Sequence, residues 1–99
     1  MPNAEELVFA VVDEVNEMLP AEQRLMPSLD QQLLGSGGDG LDSLGLVTLV
    51  TAVEEHVATS VGVRVSLMDA DAFEREPSPF LSFRTLVDHL GERLEAAAV

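Results

Sequence analysis

The sequence predicts a small all-α fold, a four-helix bundle of three main helices and one short one. Three observations predict it. Apolar residues recur at spacings of three and four in three separate stretches, the pattern of a helix with one buried face. Between them lie segments broken by proline and glycine. The chain has 99 residues, enough for a single domain spanning 1–99 with one small core.

The first helix is expected from about Ala4 to Leu19. Asn3 can cap it, with Glu6 three residues on in a capping-box arrangement. Leu7, Val8, Val11, Val15, Met18 and Leu19 form its apolar set, and Pro20 ends it. Residues 20–42 read as a long connection, with Pro20, Pro27 and four glycines between positions 35 and 40. Its leucines at 25, 29, 33 and 34 suggest that it is pinned over the core. The second helix is expected from about Ser43 to Thr59, capped by Asp42 or Ser43. Its core stripe is Leu46, Leu49, Val50, Val53 and Val57. Leu44, Val47, Thr48, Thr51 and Glu55 lie off that stripe.

A short extended link, Gly62 to Val65, leads to a one- or two-turn helix over Leu67–Phe73, with Ser66 before it and Asp69 in the capping-box position. Residues 74–81, with Pro77 and Pro79, read as loop. The last helix begins after Ser82 and carries the stripe Phe83, Leu86, Val87, Leu90 and Leu94.

Composition narrows the functional classes. Eighteen acids face five bases, all of them arginine, for a net charge of −13. A phosphate backbone or an anionic membrane surface requires basic residues, so neither nucleic acid nor membrane is an expected partner. Eleven acids and one arginine precede residue 61, and seven acids and four arginines follow it. Cysteine is absent, which removes disulfides, CxxC redox chemistry and thiolate zinc sites. The two histidines, His56 and His89, are too few for a histidine-rich metal site, and no metal is expected. The N-terminus has neither the basic region nor the apolar core of a signal peptide, so a cytoplasmic location is the expectation.

The chemistry concentrates at Gly40-Leu41-Asp42-Ser43-Leu44. A serine at the first turn of a helix, straight after a glycine-rich loop, should present its hydroxyl to solvent. The helix dipole and unsatisfied amides beside it favour a phosphate ester on that oxygen. Asp42 places a carboxylate next to the hydroxyl, suited to a magnesium-dependent transfer carried out by another enzyme. Taken alone, Asp-Ser at a helix start is an ordinary cap. A calcium loop starting at Asp39 would need oxygen ligands where Leu41 and Val50 stand. A serine hydrolase would need a histidine within reach of Ser43. His56 is three to four turns along the same helix, and His89 is expected at the surface of the last one.

In this context the sequence resembles the acyl carrier proteins and the related peptidyl carrier domains, whose D-S-L serine bears 4′-phosphopantetheine. Four features stand in the family's order: Leu34-Gly35; Leu41-Asp42-Ser43-Leu44; the helix segment Leu49 to Val57 with its paired Glu54-Glu55; and Ser82-Phe83-Arg84-Thr85-Leu86-Val87-Asp88-His89-Leu90 opening the last helix. The resemblance spans nearly the whole chain. It implies a non-catalytic carrier with phosphopantetheine on Ser43, and Asp42 and Leu44 flanking the attachment point. Leu44, Val47, Glu54 and Glu55 would form the partner-facing surface. The implied partners are a phosphopantetheinyl transferase, an acyl- or amino-acid-activating ligase, and ketosynthase or condensation-type synthases, met by a monomeric carrier. The 35–41 and 66–81 segments are longer than the family's usual ones. Gly45 and Thr48 stand where carriers of fatty-acid synthesis have acids, which points to a specialised fatty-acid, polyketide or nonribosomal-peptide pathway. From another class, an acidic helical adaptor without a prosthetic group would fit the same charge.

Overall fold

A computed structural model describes residues 3–33, 43–69, 72, 74, 75 and 78–97, with Glu22 and Ser43 described in their backbone only. It is an all-α bundle. Four α-helices lie within the described residues: α1 (Ala4–Phe9), α2 (Val12–Met18), α3 (Ser43–Ser60) and α4 (Phe83–Ala97). One hydrophobic core joins them, built from Leu7, Val8, Val12 and Val15 of α1 and α2, the α3 stripe, and Phe83, Leu86 and Leu90 of α4.

The helix expected over Ala4–Leu19 is two helices. The Asn3 cap is present, its side-chain oxygen accepting the Glu6 amide at 2.8 Å. The break falls at Ala10–Val11. There the Val11 amide reaches back three residues to the Val8 carbonyl at 3.4 Å, and the regular four-residue step resumes with Val15 to Val11 at 2.9 Å. Two adjacent β-branched residues, Val11 and Val12, sit at this point, and both are buried. Branched side chains crowd the preceding helical turn and weaken the helix. The tightened turn keeps both valines in the core. Met18 of the predicted stripe points outward, 57% exposed, while Leu19 turns in.

The connection after α2 opens with a 3₁₀ turn at Ala21–Gln23 and is tied down at both described ends. The Asn16 amide donates to the Leu25 carbonyl at 2.9 Å and its oxygen accepts the Leu25 N–H at 2.7 Å. One side chain thus satisfies both backbone groups of a buried loop residue. Asn16→Ala is expected to cost about 1–3 kcal/mol, since both groups lose their partner in a partly buried site. Urea unfolding checks this, and a loss near zero would show that the loop is held by its leucines alone. Further on, the Leu33 amide donates to the Leu81 carbonyl at 2.8 Å. The Phe83 and Arg84 amides donate to the carbonyls of Gln31 and Leu29 at 3.1 and 3.0 Å. Gln32 and Ser82 form an antiparallel bridge. The loop thereby supplies acceptors to the first amides of α4, which have no partner inside the helix. Leu25 and Leu33 are buried as the sequence suggested; Leu34 and the rest of 34–42 lie outside the described residues.

The α3 helix follows its expected range, and Leu46, Leu49, Val50, Val53 and Val57 are all buried. It closes at Gly62, whose φ of +78° is the left-handed cap that glycine adopts without strain. The α4 helix is capped reciprocally: the Ser82 hydroxyl accepts the Thr85 amide at 3.4 Å, and the Thr85 hydroxyl accepts the Ser82 amide at 3.1 Å. The α1 helix runs antiparallel to α4. Phe9 meets Phe83 edge-on, ring centroids 5.3 Å apart, and Ala4 approaches Gly91 at the other end.

Two expectations are corrected between α3 and α4. No helix begins at Leu67, because its backbone is already bonded elsewhere. Its amide donates to Glu54 Oε2 at 2.7 Å, and its carbonyl lies 3.0 Å from His89 Nε2. Asp69 is itself the cap, accepting the Ala72 amide at 3.0 Å; Ala72 and Glu74 are helical, and residues 70, 71 and 73 of the expected short helix lie outside the described residues. His89, expected at the surface, is 1% exposed. It is buried because it bonds the Leu67 carbonyl and packs edge-on against Phe80, 6.1 Å between centroids.

Candidate functional site

The candidate site is the start of α3. Ser43 is the first helical residue. The stripe behind it fixes the helix: Leu46, Leu49 and Val50 point into the core, which turns Leu44 and Val47 outward, 75% and 45% exposed. Thr48 lies between core and solvent, and its hydroxyl is engaged, donating to the Leu44 carbonyl at 2.9 Å. The outer surface of the first two turns is therefore apolar and carries no charge in the helix itself. Asp42, together with Leu41, Leu34-Gly35 and the glycine-rich loop, lies outside the described residues.

The paired glutamates part company. Glu55 is exposed. Glu54 is half-buried, and its carboxylate accepts the Leu67 amide. Glu54 thus joins α3 to the following connection, and Glu55 stands about 18 Å along the helix from Ser43 at 1.5 Å per residue. His56 is further still, with Nε2 3.3 Å from the Ser60 hydroxyl one turn on. Both ring nitrogens of His89 are occupied, Nε2 by the Leu67 carbonyl and Nδ1 by Arg75 at 3.1 Å. Neither ring is arranged as a base for Ser43. Among the described residues no group of three or more metal-ligating side chains converges, and no helix is long and apolar enough to cross a membrane.

Sequence reading missed a second cluster, on the α4 face that meets the preceding segment. Arg75 pairs with Glu92 at 2.6 Å, and Arg93 with Asp69 at 2.9 Å. The Ala72 amide, with Arg93, holds the Asp69 carboxyl below the usual carboxylate range, and Arg75 does the same for Glu92. His89, Glu92 and Arg93 share one helix face at the i, i+3, i+4 spacing. That spacing was visible; their partners 14 to 24 residues away were not.

Fold and site together define a small all-α bundle with a serine as the first residue of its longest described helix. No protein-family model, curated protein or solved structure matches the chain.

Proposed function

We propose that the chain is a carrier protein of the acyl or peptidyl kind, with 4′-phosphopantetheine attached at Ser43. The observation that carries this reading is the construction of the α3 start. Ser43 opens an 18-residue helix anchored by an unbroken core stripe, and its neighbour Leu44 faces solvent. The residues there fit such a group. A helix N-terminal turn favours a phosphate ester, and the exposed Leu44 side leaves room for an arm to depart. When bound, the arm supplies a thiol that holds an acyl or aminoacyl group as a thioester. The protein's own residues fix the attachment point and present a recognition surface, Leu44 and Val47, to each enzyme in turn. Asp42 would accompany Ser43 in the attachment reaction, which a phosphopantetheinyl transferase performs. An acyl- or amino-acid-activating ligase would load the arm, and ketosynthase or condensation-type synthases would unload it. The apolar opening of α3 and the absence of acids at Gly45 and Thr48 favour a specialised pathway.

The net charge of −13 favours a second reading, an acidic helical adaptor for a basic protein. Intact mass separates the two. Co-expression with a promiscuous phosphopantetheinyl transferase is expected to add one phosphopantetheinyl mass, and Ser43→Ala to abolish it. Addition that survives in Ser43→Ala overturns the site. A folded protein that gains no mass leaves the adaptor.

A further inference from the structure

The connections of this bundle are tied down at most points, and one stretch is not. Asn16 bonds both backbone groups of Leu25, and Glu54 and His89 bond those of Leu67. Between α3 and Leu67, the backbones of Val63, Arg64, Val65 and Ser66 make no hydrogen bond among the described residues. Without partners inside the chain, these donors and acceptors are left to solvent.

The stretch has the form of a strand edge. Exposure alternates residue by residue: Val61, Val63 and Val65 are half-buried, and Gly62, Arg64 and Ser66 are exposed. That is the two-residue period of extended backbone, which β-branched valines favour. The end points agree. The Gly62 amide closes the last turn of α3 on the Ala58 carbonyl, while the Leu67 amide is fastened to Glu54. Glu54 lies about 12 Å back along the helix from Gly62. The five residues to Leu67 would cover about 7.5 Å as helix and about 16 Å as strand, so the chain returns beside α3 close to extended. A groove separates the two, lined by Thr51, Glu54, Glu55 and Ala58 of α3 and by Arg64 and Val65 of the returning segment.

We propose that residues 63–66 are a docking edge for an extended segment of a basic partner protein, which adds to them as a strand beside α3. Main-chain hydrogen bonds to the unpaired edge supply affinity, and the groove selects side chains. Charge chooses the occupant. Two carboxylates, Glu54 and Glu55, stand against the one guanidinium of Arg64 in the groove, and the whole chain carries −13. A basic segment is attracted on both counts. A second copy would bring the same −13, so like charge opposes self-pairing. Docking here needs no group on Ser43.

The full chain, unmodified, is titrated with a capped octapeptide of alternating lysine and valine, and amide exchange is followed by NMR. Two amides two residues apart, Val63 with Val65 or Arg64 with Ser66, should slow, because a strand presents alternate residues to its neighbour. The Thr51 and Glu55 signals should shift with them. N-methylation of the peptide's amides keeps every charge and should weaken binding about tenfold or more. An alternating glutamate–valine peptide should bind far more weakly than the lysine one. Binding that leaves all four amides unprotected, or that survives N-methylation, is side-chain attraction alone and overturns the strand edge, as does no binding at about 1 mM peptide. Equal binding of the glutamate peptide overturns the basic occupant. Protection that grows with protein concentration in the absence of peptide overturns it too, and gives the edge to a second copy.

Discussion

Phe83→Ala should be the most damaging single substitution in the core, at about 3–5 kcal/mol. Three features converge on this residue. Its ring is fully buried; it meets Phe9 edge-on at 5.3 Å; and its amide ties the long connection to the start of α4 through the Gln31 carbonyl. The substitution keeps the amide and removes the ring, so the loss reports packing between α1 and α4. Against a total of about 5–15 kcal/mol for a small domain, that is a large share of the stability, and the unfolding midpoint should fall well below the parent's. Urea unfolding followed by circular dichroism measures it. Leu94→Ala, at a half-buried position on the same helix, is the control and should cost clearly less. A Phe83 loss below about 1 kcal/mol would place the stability of the bundle elsewhere.

The second large effect is a divergence between two positions on α3. Leu44→Ala removes an exposed side chain and should change stability by no more than about 0.5 kcal/mol. If Ser43 is the attachment point, it should slow loading by the transferase or ligase substantially, since an apolar anchor at an interface can lose 2 kcal/mol or more on truncation, about thirtyfold. Val53→Ala should do the reverse. Val53 is fully buried on the core stripe, and the cavity should cost about 1–3 kcal/mol while the surface around Ser43 is unaltered. The two variants are compared by unfolding midpoint and by initial rate of loading. A Leu44→Ala protein that unfolds, or that loads as fast as its parent, contradicts the division of α3 into a core face and a partner face.

Much of this was legible in the residues because it is local. The α3 stripe is a repeat of 3.6 residues read directly along the chain, and all five of its members are buried. Asn3 before α1 and Ser82 before α4 are caps whose partners stand three residues away. The exposure of Leu44 and Val47 follows from the same periodicity, since a helix that buries 46, 49, 50, 53 and 57 must turn 44 and 47 outward. The break at Ala10–Val11 was less legible. The hydrophobic pattern runs through it unbroken, and only the pair of branched valines marks the place.

What sequence by itself determined here is the helical class, the position of the apolar faces and the serine at the head of α3, because each depends on neighbours within one or two turns. Tertiary structure alone decided how the connections are held. Asn16 closes on Leu25 across nine residues. Glu54, expected from the sequence to face a partner, also accepts the Leu67 amide thirteen residues away, and His89 goes from an expected surface residue to a buried one that binds the Leu67 carbonyl across twenty-two. The physical reason is common to all three. A buried backbone amide or carbonyl in an irregular segment must find a hydrogen-bond partner, and the chain supplies whichever polar side chain the packed helices bring within 3 Å, a choice that no periodicity encodes.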